Sequence, residues 1–140
     1  MSGNRKPVTC PYCYKPAEFM ASSTPVYGRD YGPLHICKPC DAYVGCHKGT
    51  TIPLGRLANA PLRRMKARLH DLFDPIWKGK VEAAIQEHGF PPKGIKQRER
   101  VDAYRRLSSR LGIRMEECHI GMFDEETCQR AIALLSSGDI

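Results

Sequence analysis

The arrangement of apolar and polar positions changes character near residue 55. From Gly55 onward, apolar side chains recur at intervals of three and four, the spacing that gathers them on one face of an α-helix. Leu62, Met65, Leu69, Leu72 and Phe73 form the first such series. Asn59 is a capping residue type just ahead of it, and Pro61 suits a first turn, where a missing N–H leaves no bond unmade. Pro75 lacks an amide proton and crowds the carbonyl four residues back, so this helix is expected to end there, just before Trp77. A short helix is expected over 81–87, closed by Gly89 and the Pro91-Pro92 pair, with a loop over 89–95. A third, over about 97–111, places Val101, Tyr104, Leu107 and Leu111 together and stops at Gly112, a residue that takes up the left-handed terminus at no steric penalty. The last has the clearest start. Asp124 is the expected N-cap, Glu125 and Glu126 suit the positive end of the helix dipole, and Ala131, Ile132, Leu134 and Leu135 supply the apolar stripe.

Before residue 50 this periodicity is missing. Short runs at 17–20, 24–27 and 34–37, separated by Gly, Pro and aromatic residues, suit brief strands joined by turns. Residues 1–9 are polar and aperiodic and are expected to be flexible. The fold class expected is α+β: an N-terminal β ribbon over 10–50, packed on a small basic helical domain of three to four helices over 51–140.

The seven cysteines change what the ribbon must be. No run of 18 or more apolar residues occurs, and the start, MSGNRKPVTC, lacks the apolar stretch of a secretory signal, so a reducing cytoplasm is the expected location. Disulfides do not persist there, and paired Cys-x-x-Cys units more often bind metal. Cys10-Pro-Tyr-Cys13 and Cys37-Lys-Pro-Cys40 are two such units separated by 23 residues. Together Cys10, Cys13, Cys37 and Cys40 offer four thiolates, which fill the closed tetrahedral shell of a structural Zn²⁺, making the ribbon a zinc ribbon. A module of roughly 40 residues is near the size that burial alone does not fold, so the ion's expected role is stability. A thioredoxin-like redox pair needs only one Cys-x-x-Cys and a surrounding βαβ pattern, which the sequence does not show.

Charge separates the chain again. The formal net charge is +7; residues 51–115 carry fifteen Lys and Arg against six Asp and Glu, whereas 116–140 carry one against six. A positive middle attracts polyanions. Arg63 and Arg64 in the first helix, and Arg98, Arg105, Arg106 and Arg110 in the third, are the candidate phosphate contacts, since the third-helix group lies largely away from its apolar face. Lys15, Tyr12, Tyr14, Tyr27, Arg29 and Tyr31 in the ribbon extend the candidate surface. Cys46-His47 and Cys118-His119 invite comparison with a nucleophile and its base, but adjacent side chains point apart on a strand or helix, so no catalytic residue is assigned. A second metal site joining these doublets with His70 stays open as an alternative to packed side chains. Cys128 is most simply a small core residue.

Several segments fall in a characteristic order: Cys10-Pro-Tyr-Cys13, Cys37-Lys-Pro-Cys40-Asp-Ala-Tyr-Val-Gly-Cys-His47, Pro53-Leu-Gly-Arg-Leu-Ala58, His70 with Phe73-Asp-Pro-Ile-Trp77, and Cys118-His-Ile-Gly-Met-Phe-Asp124. In this order and spacing the chain resembles, from Cys10 to about Leu135, the short phage and prophage proteins of a zinc-finger-containing domain family of unassigned function. The resemblance implies a phage origin and action in the cytoplasm of a bacterial host. It also implies that His47, His70 and the Cys118-His119 segment belong to a shared nucleus. Tyr14 departs from it, because the family pattern usually has Gly after the first Cys-x-x-Cys unit.

The function expected is that of a non-enzymatic, zinc-stabilised accessory protein binding nucleic acid or a nucleic-acid machine of the host, with no membrane and no small-molecule substrate. The alternative is a protein-binding inhibitor or adaptor acting on a host defence or transcription component, with the basic middle and acidic tail as two docking faces. A small metal-dependent nuclease using His47, His70 or His119 is handicapped by too few carboxylates near those histidines to hold Mg²⁺.

Overall fold

In the computed structural model, which describes residues 8–140, the N-terminal part is built around β2 (Leu34–Cys37), whose four residues are all buried. β2 pairs antiparallel with β1 (Glu18–Met20) on one side and β3 (Ala42–Gly45) on the other, with Phe19 opposite His35 and Cys37 opposite Ala42. Successive side chains of a strand point to opposite faces, so burial of all four means that β2 is covered on both faces. The outer edge of β3 is not left to water either. Residues 52–58 return along it: Leu54 N–H donates to the Gly45 carbonyl at 2.9 Å, and Tyr43 and Ala58 exchange bonds at 3.2 and 3.0 Å. Covering an edge in this way removes a template for unwanted pairing. His35, 2% exposed, fastens the return loop through Nε2, 2.8 Å from the Thr51 carbonyl, and its ring lies 5.3 Å from that of Phe19.

Two compact units result, the first ending at Arg63 and the second comprising Arg64–Ile140. The expected flexible N-terminus over 1–9 falls mostly outside the described residues. Val8 and Thr9, which are described, are ordered: Ala17 N–H donates to the Val8 carbonyl at 2.7 Å, and Thr9 bridges Pro16. A second correction concerns Thr24–Tyr27, which forms a single helical turn (α1) in place of a strand. Pro25 sets the backbone for a helix start and has no N–H to give a sheet, and Gly28, at φ 77°, ends the turn.

Both Cys-x-x-Cys turns end on a residue in the left-handed region, Tyr14 at φ 62° and Asp41 at φ 52°. Tyr14 N–H donates to the Cys10 carbonyl at 2.9 Å, closing the first turn; Asp41 N–H donates to the Lys38 carbonyl at 3.1 Å in the second. Asparagine and aspartate tolerate this conformation, but a tyrosine is strained by it.

The long helix α2 (Ala60–His88) runs unbroken through Pro75, merging the two helices expected at 61–74 and 81–87. An internal proline costs about 3 kcal/mol. Against this, Leu69, Phe73 and Trp77, spaced by four, are buried on one stripe, each contributing roughly 1.5–3 kcal/mol. Ending the helix at Pro75 would swing Trp77 off that stripe. Its indole N–H also donates to Asp74 Oδ1 at 3.2 Å, a bond that spans the proline. α3 (Ile95–Leu111) buries Ala103, Tyr104, Leu107, Ser108 and Leu111, with the Phe73 and Tyr104 rings 4.6 Å apart. Two 3-10 turns, Met115–Glu117 and Ile120–Met122, feed Cys118, Ile120 and Phe123 into the same core. α4 (Glu125–Ser136) starts where expected, with Thr127 N–H donating to Asp124 Oδ1 at 2.8 Å and Cys128 and Ala131 buried.

Two stability changes follow from these backbone features. Asp124→Ala removes a cap and is expected to destabilise the second unit by about 0.5–2 kcal/mol, seen as a lowered midpoint in thermal melting. Tyr14→Gly relieves a left-handed tyrosine whose ring is 80% exposed, so it is expected to raise the melting midpoint of the ribbon or hold it, with zinc content unchanged. A midpoint lowered by several degrees would show that the Tyr14 ring makes a stabilising contact.

Candidate metal centre and basic surface

The two turns that carry the cysteines face each other because β2 begins one of them and the Thr9–Pro16 bridge closes the other. The sulfurs of Cys10, Cys13, Cys37 and Cys40 lie within 4.8 Å of one another, those of Cys13 and Cys37 at 3.6 Å. Zn–S bonds of about 2.3 Å in a tetrahedron set sulfur–sulfur edges of about 3.8 Å, so the spacing fits a thiolate-ligated ion. It is the one group of three or more metal-ligating side chains among the described residues. Cys10 and Cys37 are buried with Ala42 and Leu57, and Val8, Tyr12, Ala17 and Val44 pack around them. Cys10 and Cys37 are thus part of this small core, and Cys13 and Cys40, half-buried, pack against it.

The protonation of Cys10, Cys37 and Cys40 shows what the cluster lacks by itself. Burial raises Cys10, but the backbone N–H groups of Tyr12 and Cys13 and the sulfurs of Cys37 and Cys13 outweigh it and bring the thiol down to about 7. The Cys40 thiol is pushed up to about 12 by its hydrogen bond with Cys37, by burial and by the Cys13 and Cys10 sulfurs. Cys37 is drawn down by the Cys40 backbone N–H, yet burial and the Cys13 and Cys10 sulfurs carry it above its usual value. One thiolate forms readily and the next ones are resisted by it. A divalent cation among the sulfurs reverses that resistance, since a coordinated thiol gives up its proton.

The other cysteine and histidine positions do not converge on a second such group among the described residues. Cys118 and Cys128 are fully buried, and burial pushes each thiol up to about 11, the behaviour of inert core residues. His119 packs its ring 5.4 Å from Tyr104, and His70 Nδ1 lies 3.5 Å from Asp74 Oδ1.

The six candidate arginines have different surroundings. Arg63 is engaged within the ribbon: its guanidinium donates to the carbonyls of Asp41 and Ala58, both at 2.7 Å, and to Asp41 Oδ2 at 3.2 Å, and it lies 4.1 Å over the Tyr43 ring. This makes it a strap between the second turn and the return segment. The sequence marks Tyr43 only as part of the segment over 37–47. Arg98 folds back onto the Lys93 carbonyl at 2.8 Å, and Arg64 is exposed. Arg105, Arg106 and Arg110 line one open groove on α3, bordered by Gly138, Asp139 and Ile140. Arg105 pairs with Asp102 at 3.2 Å across one turn, with its side chain still 64% exposed.

No curated protein and no solved structure matches the chain. The family model of a zinc-finger-containing domain matches residues 6–137, nearly its full length, and the four-cysteine cluster supplies the metal-binding chemistry that such a domain requires. The chain belongs to the zinc-finger-containing domain family.

Proposed function

We propose that this protein is a zinc-stabilised, non-enzymatic phage accessory protein that binds nucleic acid. The phage setting rests on the motif order described above. Cys10, Cys13, Cys37 and Cys40 are assigned as the ligands of one Zn²⁺, whose chemistry is to neutralise four thiolates at the centre of a ribbon too small to hold itself by burial. Nucleic-acid binding rests on the two-sidedness of α3: Ala103, Tyr104, Leu107 and Leu111 hold it in the core, while Arg105, Arg106 and Arg110 line a surface groove. Guanidinium groups so placed meet phosphates with little change to the fold. Arg64 and Arg98 are secondary contacts in this reading, and Arg63 is left to the ribbon.

Purified protein is expected to carry close to one zinc per chain by elemental analysis, and Cys37→Ser is expected to lose both the metal and the ribbon's stability. Zinc uptake near neutral pH should release protons from at least Cys37 and Cys40, whose thiols are held above their usual values. Acidification returns those protons, so zinc is retained at pH 7–8 and lost as the pH falls, which a zinc indicator follows directly. Zinc content near zero at pH 7.5, or undiminished in Cys37→Ser, refutes the ligand assignment.

Replacing Arg105, Arg106 and Arg110 together with Glu should abolish binding to nucleic acid while leaving zinc content and the melting midpoint nearly unchanged. Titrations at several salt concentrations should show the wild-type log affinity falling linearly with log salt, the slope counting the phosphates contacted. If the wild-type protein binds neither duplex nor single strands at low salt, the protein-partner reading replaces this one.

A further inference from the structure

The ribbon carries an aromatic surface that the zinc cluster does not use. Residues 23–32 form a loop tied at both ends. The buried Ser23 hydroxyl accepts from Tyr31 N–H at 2.8 Å, and Asp30 Oδ1 accepts from Gly32 N–H at 2.9 Å and Ser23 N–H at 3.3 Å. These same N–H groups hold the Asp30 carboxyl below its usual range, so the tie is kept at neutral pH. What this bracing holds outward is a pair of tyrosines, Tyr27 at 49% and Tyr31 at 69% exposure. Their rings meet edge to face at 5.6 Å, and Tyr27 meets Tyr43 in the same manner at 5.8 Å. A cation stands at each end of the row. The Arg29 guanidinium is 5.9 Å from the Tyr31 centroid and makes no ion pair among the described residues; Arg63 covers Tyr43.

We propose that Tyr27 and Tyr31, with Arg29 beside them, form a stacking platform for the unpaired bases of single-stranded nucleic acid. The inference rests on the nucleic-acid reading above and narrows it. Edge-to-face packing fixes the rings without covering every face, and rings braced by a tied loop are ordered before a ligand arrives, which lowers the entropy lost on binding. Only unpaired bases offer their π-faces; in a duplex those faces are stacked on their neighbours. An arginine at the rim suits the phosphate that follows each base. Tyrosine rows also receive proline-rich peptides. The cations that flank the row, on a chain of net charge +7, favour the polyanion.

The test compares short oligo-thymidine and oligo-uridine strands with a mixed-sequence duplex, using wild-type protein and a Tyr27→Ala/Tyr31→Ala variant whose zinc content and melting midpoint are checked. Wild type is expected to prefer the single strands, and the variant to lose roughly five- to hundredfold on them with little change on duplex. Tyr31→Phe, which keeps the ring, should bind as wild type. Because Tyr27 packs on Tyr43 and its loss could unsettle the loop, Tyr31→Ala alone serves as the second variant, and photo-crosslinking of an iodouridine strand should map to Tyr27 or Tyr31. If these variants bind single strands as tightly as wild type while the α3 charge reversal binds nothing, the platform is refuted and the nucleic-acid reading stands. If wild type binds duplex as tightly as single strands, the platform is likewise refuted. If it binds a proline-rich peptide and no nucleic acid, both readings fall.

Discussion

Four thiols whose sulfurs lie within 4.8 Å cannot all ionise in a small apolar core without a cation among them. The two cysteine turns of the first unit are arranged around that constraint. β2 begins the second cysteine turn, the first turn is closed by backbone bonds, and Leu57 on the return segment is buried in the same core. With few large side chains in this core, ligation takes the place that a bigger hydrophobic interior holds in larger domains. The second unit has no comparable dependence: Leu69, Phe73, Tyr104, Leu107, Ile120 and Phe123 give it an interior of the usual apolar kind.

The surface chemistry divides along the same line. Arginines of the ribbon are coupled to aromatic rings, as in Arg63 over Tyr43 and Arg29 beside Tyr31, and so present flat, polarisable faces. Arg105, Arg106 and Arg110 of α3 border a groove and present charge. Phosphate attraction is long-ranged and indifferent to sequence, whereas stacking requires contact.

What could be read from the sequence was whatever rests on spacing and residue type. The four cysteines, the strand 34–37 and the Asp124 cap belong to that class, because each depends on a few residues close in the chain. Pro75 was misleading, since its local penalty is outweighed by the buried stripe of Leu69, Phe73 and Trp77, which only the folded core makes valuable. Residues 52–58 likewise have no strand pattern of their own and acquire their place by bonding to β3. Nor does an arginine announce its partner. Arg63 and Arg64 are neighbours in sequence, yet one is tied to Asp41, Ala58 and Tyr43 while the other is exposed.

The hydroxyl of Tyr12, inside the first cysteine turn, accepts the backbone N–H of Asn59 at 3.2 Å, and Asn59 Oδ1 in turn accepts from Leu62 N–H at 3.1 Å. The residue that caps α2 is therefore held by the cysteine turn itself. Loss of the ion would loosen Tyr12, then the cap, and the first helical turn would fray although none of its residues is a ligand. Amide exchange at Leu62 would then report metal occupancy from a position outside the cluster, as a gauge reads pressure from the far end of a pipe.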